Sequence, residues 1–165
     1  MPEYRIERRQ FIPAPVEEVF AFFADAANLD RITPPWLHFR ILTPLPIPMA
    51  EGALIDYRIR WKIVPLRWRT RIESWQPPHR FVDTQISGPY RLWHHTHTFE
   101  PDGAGTRMTD VVRYRLRLGP LLSPLHPLLV RPDLEAIFDY RREAIEGVFG
   151  GAARAAEAAA CAAAR

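Results

Sequence analysis

Residues 131–149, RPDLEAIFDYRREAIEGVF, constrain the fold of this chain more than any other stretch. Leu134, Ile137, Phe138, Ile145, Val148 and Phe149 recur at three- and four-residue spacings, so a helix gathers them on a single apolar stripe. Pro132 suits the first helical position, and Asp133 and Glu135 put negative charge where the helix dipole favours it. Gly150-Gly151 reads as the stop, which gives a helix over 132–149 of roughly 27 Å at ~1.5 Å per residue. A helix with one greasy side needs a surface to lie on.

The strands before it supply that surface. Ile55, Tyr57, Ile59, Trp61 and Ile63 alternate with Asp56, Arg58, Arg60 and Lys62; Leu66, Trp68, Thr70 and Ile72 alternate with Arg67, Arg69, Arg71 and Glu73. Period-two patterning with one wet face is the signature of an antiparallel sheet covered on one side. Residues 4–12 read as a weaker first strand. The prolines at 13 and 15 then lead into a short helix bearing Val16, Val19, Phe20 and Phe23, and a second short helical segment covers 26–31. A strand is expected over 36–42, a proline loop follows it, and a fifth strand spans 80–86, whose facing stays open: Val82, Thr84 and Ile86 form one apolar row, yet Phe81 lies on the other with Asp83 and Gln85. Residues 90–100 and 106–118 pair as a hairpin through the turn-forming PDGAG segment. The expected fold is therefore α+β: a curved seven-stranded antiparallel sheet wrapped around a long C-terminal helix, with two short helices between strands one and two. Residues 1–151 form one domain, and 152–165 an Ala-rich tail.

Composition narrows the function classes. No apolar run approaches the ~18 residues of a membrane span, and residues 1–15 lack the apolar core of a secretory leader. With the single Cys161, this points to a cytoplasmic protein without disulfides. The net charge of +3 is almost all arginine and modest, so nucleic acid is not an expected partner. The arginine rows on the outer strand faces read as a solvated surface. The leucine-rich loop at 121–130 is a candidate lid or contact for a second copy of the chain. There is no phosphate-binding glycine loop and no cysteine metal motif.

The chemistry-bearing residues cluster on the hairpin. Trp93, His95, His97 and Phe99 share one strand face, and the aromatics mark it as the inner one. The partner strand turns Met108, Asp110, Val112 and Tyr114 the same way. A turn at Asp102-Gly103 sets His95 opposite Asp110; a slightly longer one sets His97 there. Either register brings a carboxylate to an imidazole in an apolar wall. Three readings follow: a self-satisfied polar network, a polar anchor for a ligand head group, or general acid–base catalysis by His95 or His97 oriented by Asp110. His-x-His can offer two metal ligands, but no third or fourth stands out, so no metal or cofactor is expected. Tyr57, Trp61, Trp68, Trp93 and Tyr114, with Phe138 from the helix, join the two histidines and Asp110 as the expected ligand wall.

The chain resembles the START-like, or SRPBCC, superfamily, which includes polyketide cyclase/dehydrase-like proteins. The resemblance runs through the segment from Ile12 to Phe20 (IPAPVEEVF), the GPYRLW segment at 88–93, His95, His97, Phe99, the TRMTD segment at 106–110 and the IFDYR segment at 137–141. It implies a helix-grip fold with a cavity between sheet and helix. Its members bind, carry or transform small molecules, so fold alone does not fix activity. A cavity for a small hydrophobic or aromatic ligand is the leading expectation. A cyclase-, dehydrase- or hydrolase-like enzyme using the His–Asp pair is the second, and an interaction module docking through its basic face or leucine loop the third.

Overall fold

A computed structural model describes residues 2–117 and 126–163, with side chains through Gly151. Seven strands, β1 (Tyr4–Ile12), β2 (Arg40–Ile41), β3 (Leu54–Trp61), β4 (Val64–Gln76), β5 (Arg80–Ser87), β6 (Tyr90–Asp102) and β7 (Gly105–Leu116), form one antiparallel sheet in the order β1-β7-β6-β5-β4-β3-β2. The alternation in the sequence becomes two faces. Trp68, Thr70 and Ile72 of β4 are buried between exposed Arg67, Arg69 and Arg71, and Met108, Asp110, Val112 and Tyr114 of β7 are buried while Arg107 and Arg113 face solvent.

Turn chemistry sets the registers. Lys62-Ile63 closes the β3–β4 hairpin with Lys62 at φ +55°, which leaves Ile63 89% exposed at the tip rather than on the inner row expected of it. Gly103-Ala104 closes β6–β7, Gly103 taking φ +60°, a value a side chain would strain. That turn lies one residue further on than Asp102-Gly103, so His97, not His95, stands opposite Asp110.

Between β1 and β2 lie helix α1 (Val16–Ala24) and two 3-10 segments, Ala26–Ile32 and Pro35–Leu37. The strand expected over 36–42 shrinks to Arg40–Ile41. Pro35 opens a 3-10 turn instead, and His38 ends it in the left-handed region at φ 45°, so the chain is extended only afterwards.

Helix α2 (Arg131–Ala163) crosses the concave face. Its buried residues Leu134, Phe138, Ile145 and Phe149 lie on the anticipated stripe, each side chain worth ~1.5–3 kcal/mol of burial. Ile145 and Phe149 meet Ile12, Phe20, Phe99 and Met108 in one core cluster; Leu134 and Phe138 meet Ile6, Val112, Tyr114 and Leu116 in the other. Gly150-Gly151 do not stop the helix. Glycine costs only about 1 kcal/mol each in a helix interior, and the following segment is rich in alanine, the best helix former. Of the leucine-rich loop, 121–125 fall outside the described residues; His126–Val130 make one π-helical turn into α2, with Leu128 and Leu129 exposed.

Candidate functional site

A cavity of about 300 Å³ lies between the β3–β6 half of the sheet and α2. Most of its wall is apolar: Ile55, Trp68, Phe81 and Trp93 from the sheet, Leu134 and Phe138 from the helix. Trp93 stands edge-on to Trp68 at 5.2 Å between ring centres, and Tyr57 stacks on Trp68 at 5.8 Å. Rings held at these offsets make a flat-sided chamber.

One patch of the wall is polar. His95 and His97, side by side on β6 with ring centres 3.8 Å apart, lie between two carboxylates on the flanking strands. His97 Nε2 is 2.9 Å from Asp83 Oδ2 on β5, and His95 Nε2 is 3.2 Å from Asp110 Oδ1 on β7. Across each ring the second nitrogen faces the other carboxylate: His97 Nδ1 is 2.7 Å from Asp110 Oδ1, too far off line to hydrogen-bond, and His95 Nδ1 is 3.6 Å from Asp83 Oδ2. Asp83, His95 and His97 line the cavity, whereas Asp110 sits behind them.

Burial and neighbours split the protonation states. Burial depresses His95, and the charge on His97 adds to that, outweighing its carboxylate contacts. Burial would depress His97 too, but the carboxylates of Asp110 and Asp83 overcome it and raise its pKa. Burial would raise both aspartates. For Asp110 the charge on His97 and the hydrogen bond from His95 win; for Asp83 the His97 hydrogen bond and nearby charges, Arg141 included, win. Both carboxyls fall below their ordinary range. At pH 6.5 these directions favour two carboxylates, one imidazolium and one neutral imidazole, with the Arg141 guanidinium close by.

Among the buried polar atoms without hydrogen-bond partners, two besides His97 Nδ1 belong to residues lining the cavity, the donors Trp68 Nε1 and Arg141 Nε. Native proteins rarely leave such groups unsatisfied, so an acceptor arriving with a ligand is a physical explanation for both.

Of the residues expected on the wall, Tyr57, Trp61, Trp68, Trp93, His95, His97 and Phe138 line the cavity. Trp61 does so at the helix end, where its Nε1 donates to Asp133 Oδ2 at 2.6 Å and ties the β3 end to α2. Tyr114 does not line it. Its side chain is buried in the β7 core with its hydroxyl 2.7 Å from His126 Nε2. Asp110 reaches the cavity only through the two imidazoles. Asp83 and Arg141 were not among the expected site residues. The facing of 80–86 hid Asp83: β5 sets Phe81 opposite His97 and Asp83 opposite His95, so that row points inward, although Val82, Thr84 and Ile86 make the more apolar row. Phe81 on the Asp83 row was the available signal. Arg141 lies on the apolar stripe of α2, three residues after Phe138 and four before Ile145, and that spacing was its available signal.

Known proteins place these observations. No curated protein sequence matches the chain. Among solved structures it is similar to the Zhui aromatase/cyclase from Streptomyces sp. R1128, with a TM-score of 0.74 at 16% identity over 94% of this chain and 98% of that one. A protein from Mycobacterium smegmatis matches with a TM-score of 0.67 at 15% identity, covering 90% of this chain and 92% of that one. A protein from Thermus thermophilus matches at 0.60 with 24% identity over 89% and 99%. At such identities these likenesses carry the fold alone. The sequence pattern described as "Polyketide cyclase / dehydrase and lipid transport" matches residues 12–146, most of the chain, and the protein therefore belongs to that helix-grip family.

Proposed function

We propose that the protein takes a small hydrophobic or aromatic molecule into the cavity and acts by acid–base chemistry, of the cyclase or dehydrase kind, on an oxygen-bearing end of it. The observation that carries this reading is an apolar chamber with one polar patch, made of two imidazoles each contacted by carboxylates. Asp110 accepts from Nε2–H of His95, which leaves Nδ1 as its basic nitrogen on the Asp83 side. That nitrogen is placed to take a proton from the carbon beside a carbonyl. In a dehydration, the electron pair released forms the new C=C bond, the C–O bond breaks, and the leaving hydroxyl takes a proton from His97 and departs as water. Trp68 Nε1 and Arg141 Nε are free to hold the substrate's oxygens. The likeness to an aromatase/cyclase and the family's dehydrase description support the same class.

The test uses an aromatic β-hydroxyketone, whose loss of water gives a conjugated enone with a new ultraviolet absorption. Wild-type protein is expected to accelerate that loss, and His95→Gln to lower the rate ~10²–10⁴-fold while still quenching tryptophan fluorescence on ketone binding. Binding without turnover in the wild type would leave a carrier. No binding of any flat aromatic ketone, together with Trp93→Ala leaving the protein unchanged, would sink the cavity reading itself.

A further inference from the structure

We infer that Asp83, His95 and His97 form a site for one divalent transition-metal ion, open on the cavity side. One donor atom from each residue lies within 4.8 Å of the other two, and Asp83 Oδ2 faces both His95 Nδ1 and His97 Nε2. Two of the separations are 2.9 and 3.6 Å. Ligands bound at ~2.0–2.2 Å around a tetrahedral or octahedral ion stand roughly 2.9–3.6 Å apart, so these three need little movement to share one. Two nitrogens and one carboxylate oxygen suit zinc or iron(II) better than calcium or magnesium, which prefer all-oxygen shells.

The arrangement behind the three donors carries the inference further. Both rings turn the nitrogen that faces away from Asp83 toward the same atom, Asp110 Oδ1, at 3.2 Å for His95 and 2.7 Å for His97. A carboxylate behind a histidine, on the nitrogen that does not bind metal, is the usual support of a metal-bound imidazole, fixing its ring and raising its basicity. One Asp110 stands in that place for both rings, hydrogen-bonded to His95 and in ionic contact with His97. A network serving only to satisfy its own hydrogen bonds has no need to turn two imidazoles the same way, nor to leave His97 Nδ1 close to a carboxylate yet unbonded.

The strands explain why the donors converge. His95 and His97 are two apart on β6 and so share a face, and Asp83 lies directly opposite His95 on β5. Three protein ligands leave at least one coordination position empty. Asp83, His95 and His97 all line the cavity, so that position faces it, as in catalytic rather than structural metal sites. Arg141 is the lysine or arginine on the cavity wall among the described residues, and it approaches from the helix, where it would meet the anionic end of a ligand. The inference rests on the proposed cavity function only for what the ion would meet there: a ligand oxygen, which it would polarise in place of a free imidazole.

Cobalt(II) added to chelator-treated, full-length protein reads the site directly. One equivalent is expected to bind and give visible ligand-field absorption. His97→Gln and Asp83→Asn should each remove that absorption, and Asp110→Asn should weaken cobalt binding about 10–100-fold while keeping it. Circular dichroism of each variant separates lost ligands from lost folding, and zinc competing the cobalt signal away supplies a second readout. Absence of absorption and of binding heat up to millimolar cobalt in the wild type overturns the inference, as does cobalt binding that survives His97→Gln and Asp83→Asn together. Ketone binding to the metal-free protein is measured separately, so loss of the metal site leaves the cavity function standing, and turnover by the metal-free protein would assign the chemistry to the imidazoles.

Discussion

Two buried histidines on this scaffold, His97 and His126, are equally hidden from solvent, at 4% and 5% exposure, yet their pKa values move in opposite directions. His97 lies between the Asp83 and Asp110 carboxylates. His126, on the turn before α2, shares a hydrogen bond of 2.7 Å with the Tyr114 hydroxyl and stacks on Tyr4 with ring centres 3.5 Å apart. Burial pushes both imidazoles toward neutrality. The carboxylates reverse that push at His97, whereas at His126 burial is unopposed and the positive charge of Arg131 adds to it. Between these two histidines the partners make the difference, although His95, beside the same carboxylates, is still lowered by burial and by the charge on His97. The first site sets charged groups beside the cavity, whereas the second joins β1 and β7 to the turn before α2.

The largest effect should come from removing the partner that sets the charge. Asp110→Ala leaves His97 buried with one of its two counterions gone and His95 without its acceptor. Breaking a buried ion pair from one side typically costs about 3–5 kcal/mol, and urea unfolding at pH 7 measures it. Asp110→Asn nearly keeps the volume and one acceptor oxygen, so it should fold, and its loss should appear in ligand affinity, about 1–3 kcal/mol by calorimetric titration. An Asp110→Ala variant no less stable than Asp110→Asn would mean that the charge difference between the two histidine sites is not a stability difference.

The neutral site should yield less. Tyr114→Phe removes the hydroxyl that bonds His126 and leaves that nitrogen short of a partner, a cost of about 1–2 kcal/mol. The phenol itself is held neutral, its pKa pushed up to about 12 by burial. Ketone binding should stay unchanged, because Tyr114 lies off the cavity wall. A fall in affinity with stability intact would restore Tyr114 to the ligand wall and blur the division between the two sites.

The contrast also marks what a sequence can reveal. The helix stripe, the alternating rows of β3, β4 and β7, and the inward face of Trp93, His95 and His97 were legible because periodicity is a local property. The His97–Asp110 pairing was legible as one of two registers, undecided because it hung on a single turn residue. Asp83 was hidden, since its inward facing comes from its place opposite His95 on β6, while the more apolar row of β5 itself, Val82, Thr84 and Ile86, pointed to the other face. His126 drew no attention because one partner, Tyr4, arrives from the first strand and the other, Tyr114, lies across a loop whose path the alternation of β7 does not set. The early end assigned to α2 failed for another reason: paired glycines are a common stop, but an alanine-rich continuation outweighs them.

The finest test of the comparison is titration. His97, raised in the folded state, contributes stability that is fully present below the unfolded histidine value of 6.5 and is lost as the pH rises through its folded value. His126, lowered in the folded state, works the other way. Its contribution is full above 6.5 and is lost as the pH falls from there through its folded value. The aspartates do not confuse this window, because their depressed values place their own loss of stability below the ordinary carboxyl value of 3.8. Imidazole resonances followed by NMR should therefore show His126 titrating below 6.5 and His97 above it. Replacing His126 by Phe, which keeps an aromatic ring against Tyr4, should reduce the fall in stability just below pH 6.5 to the share left by His95, which is also lowered, and leave the alkaline side unchanged. If both resonances titrate on the same side of 6.5, the carboxylates do not govern the first site, and the two histidines differ in their surroundings without differing in their charge.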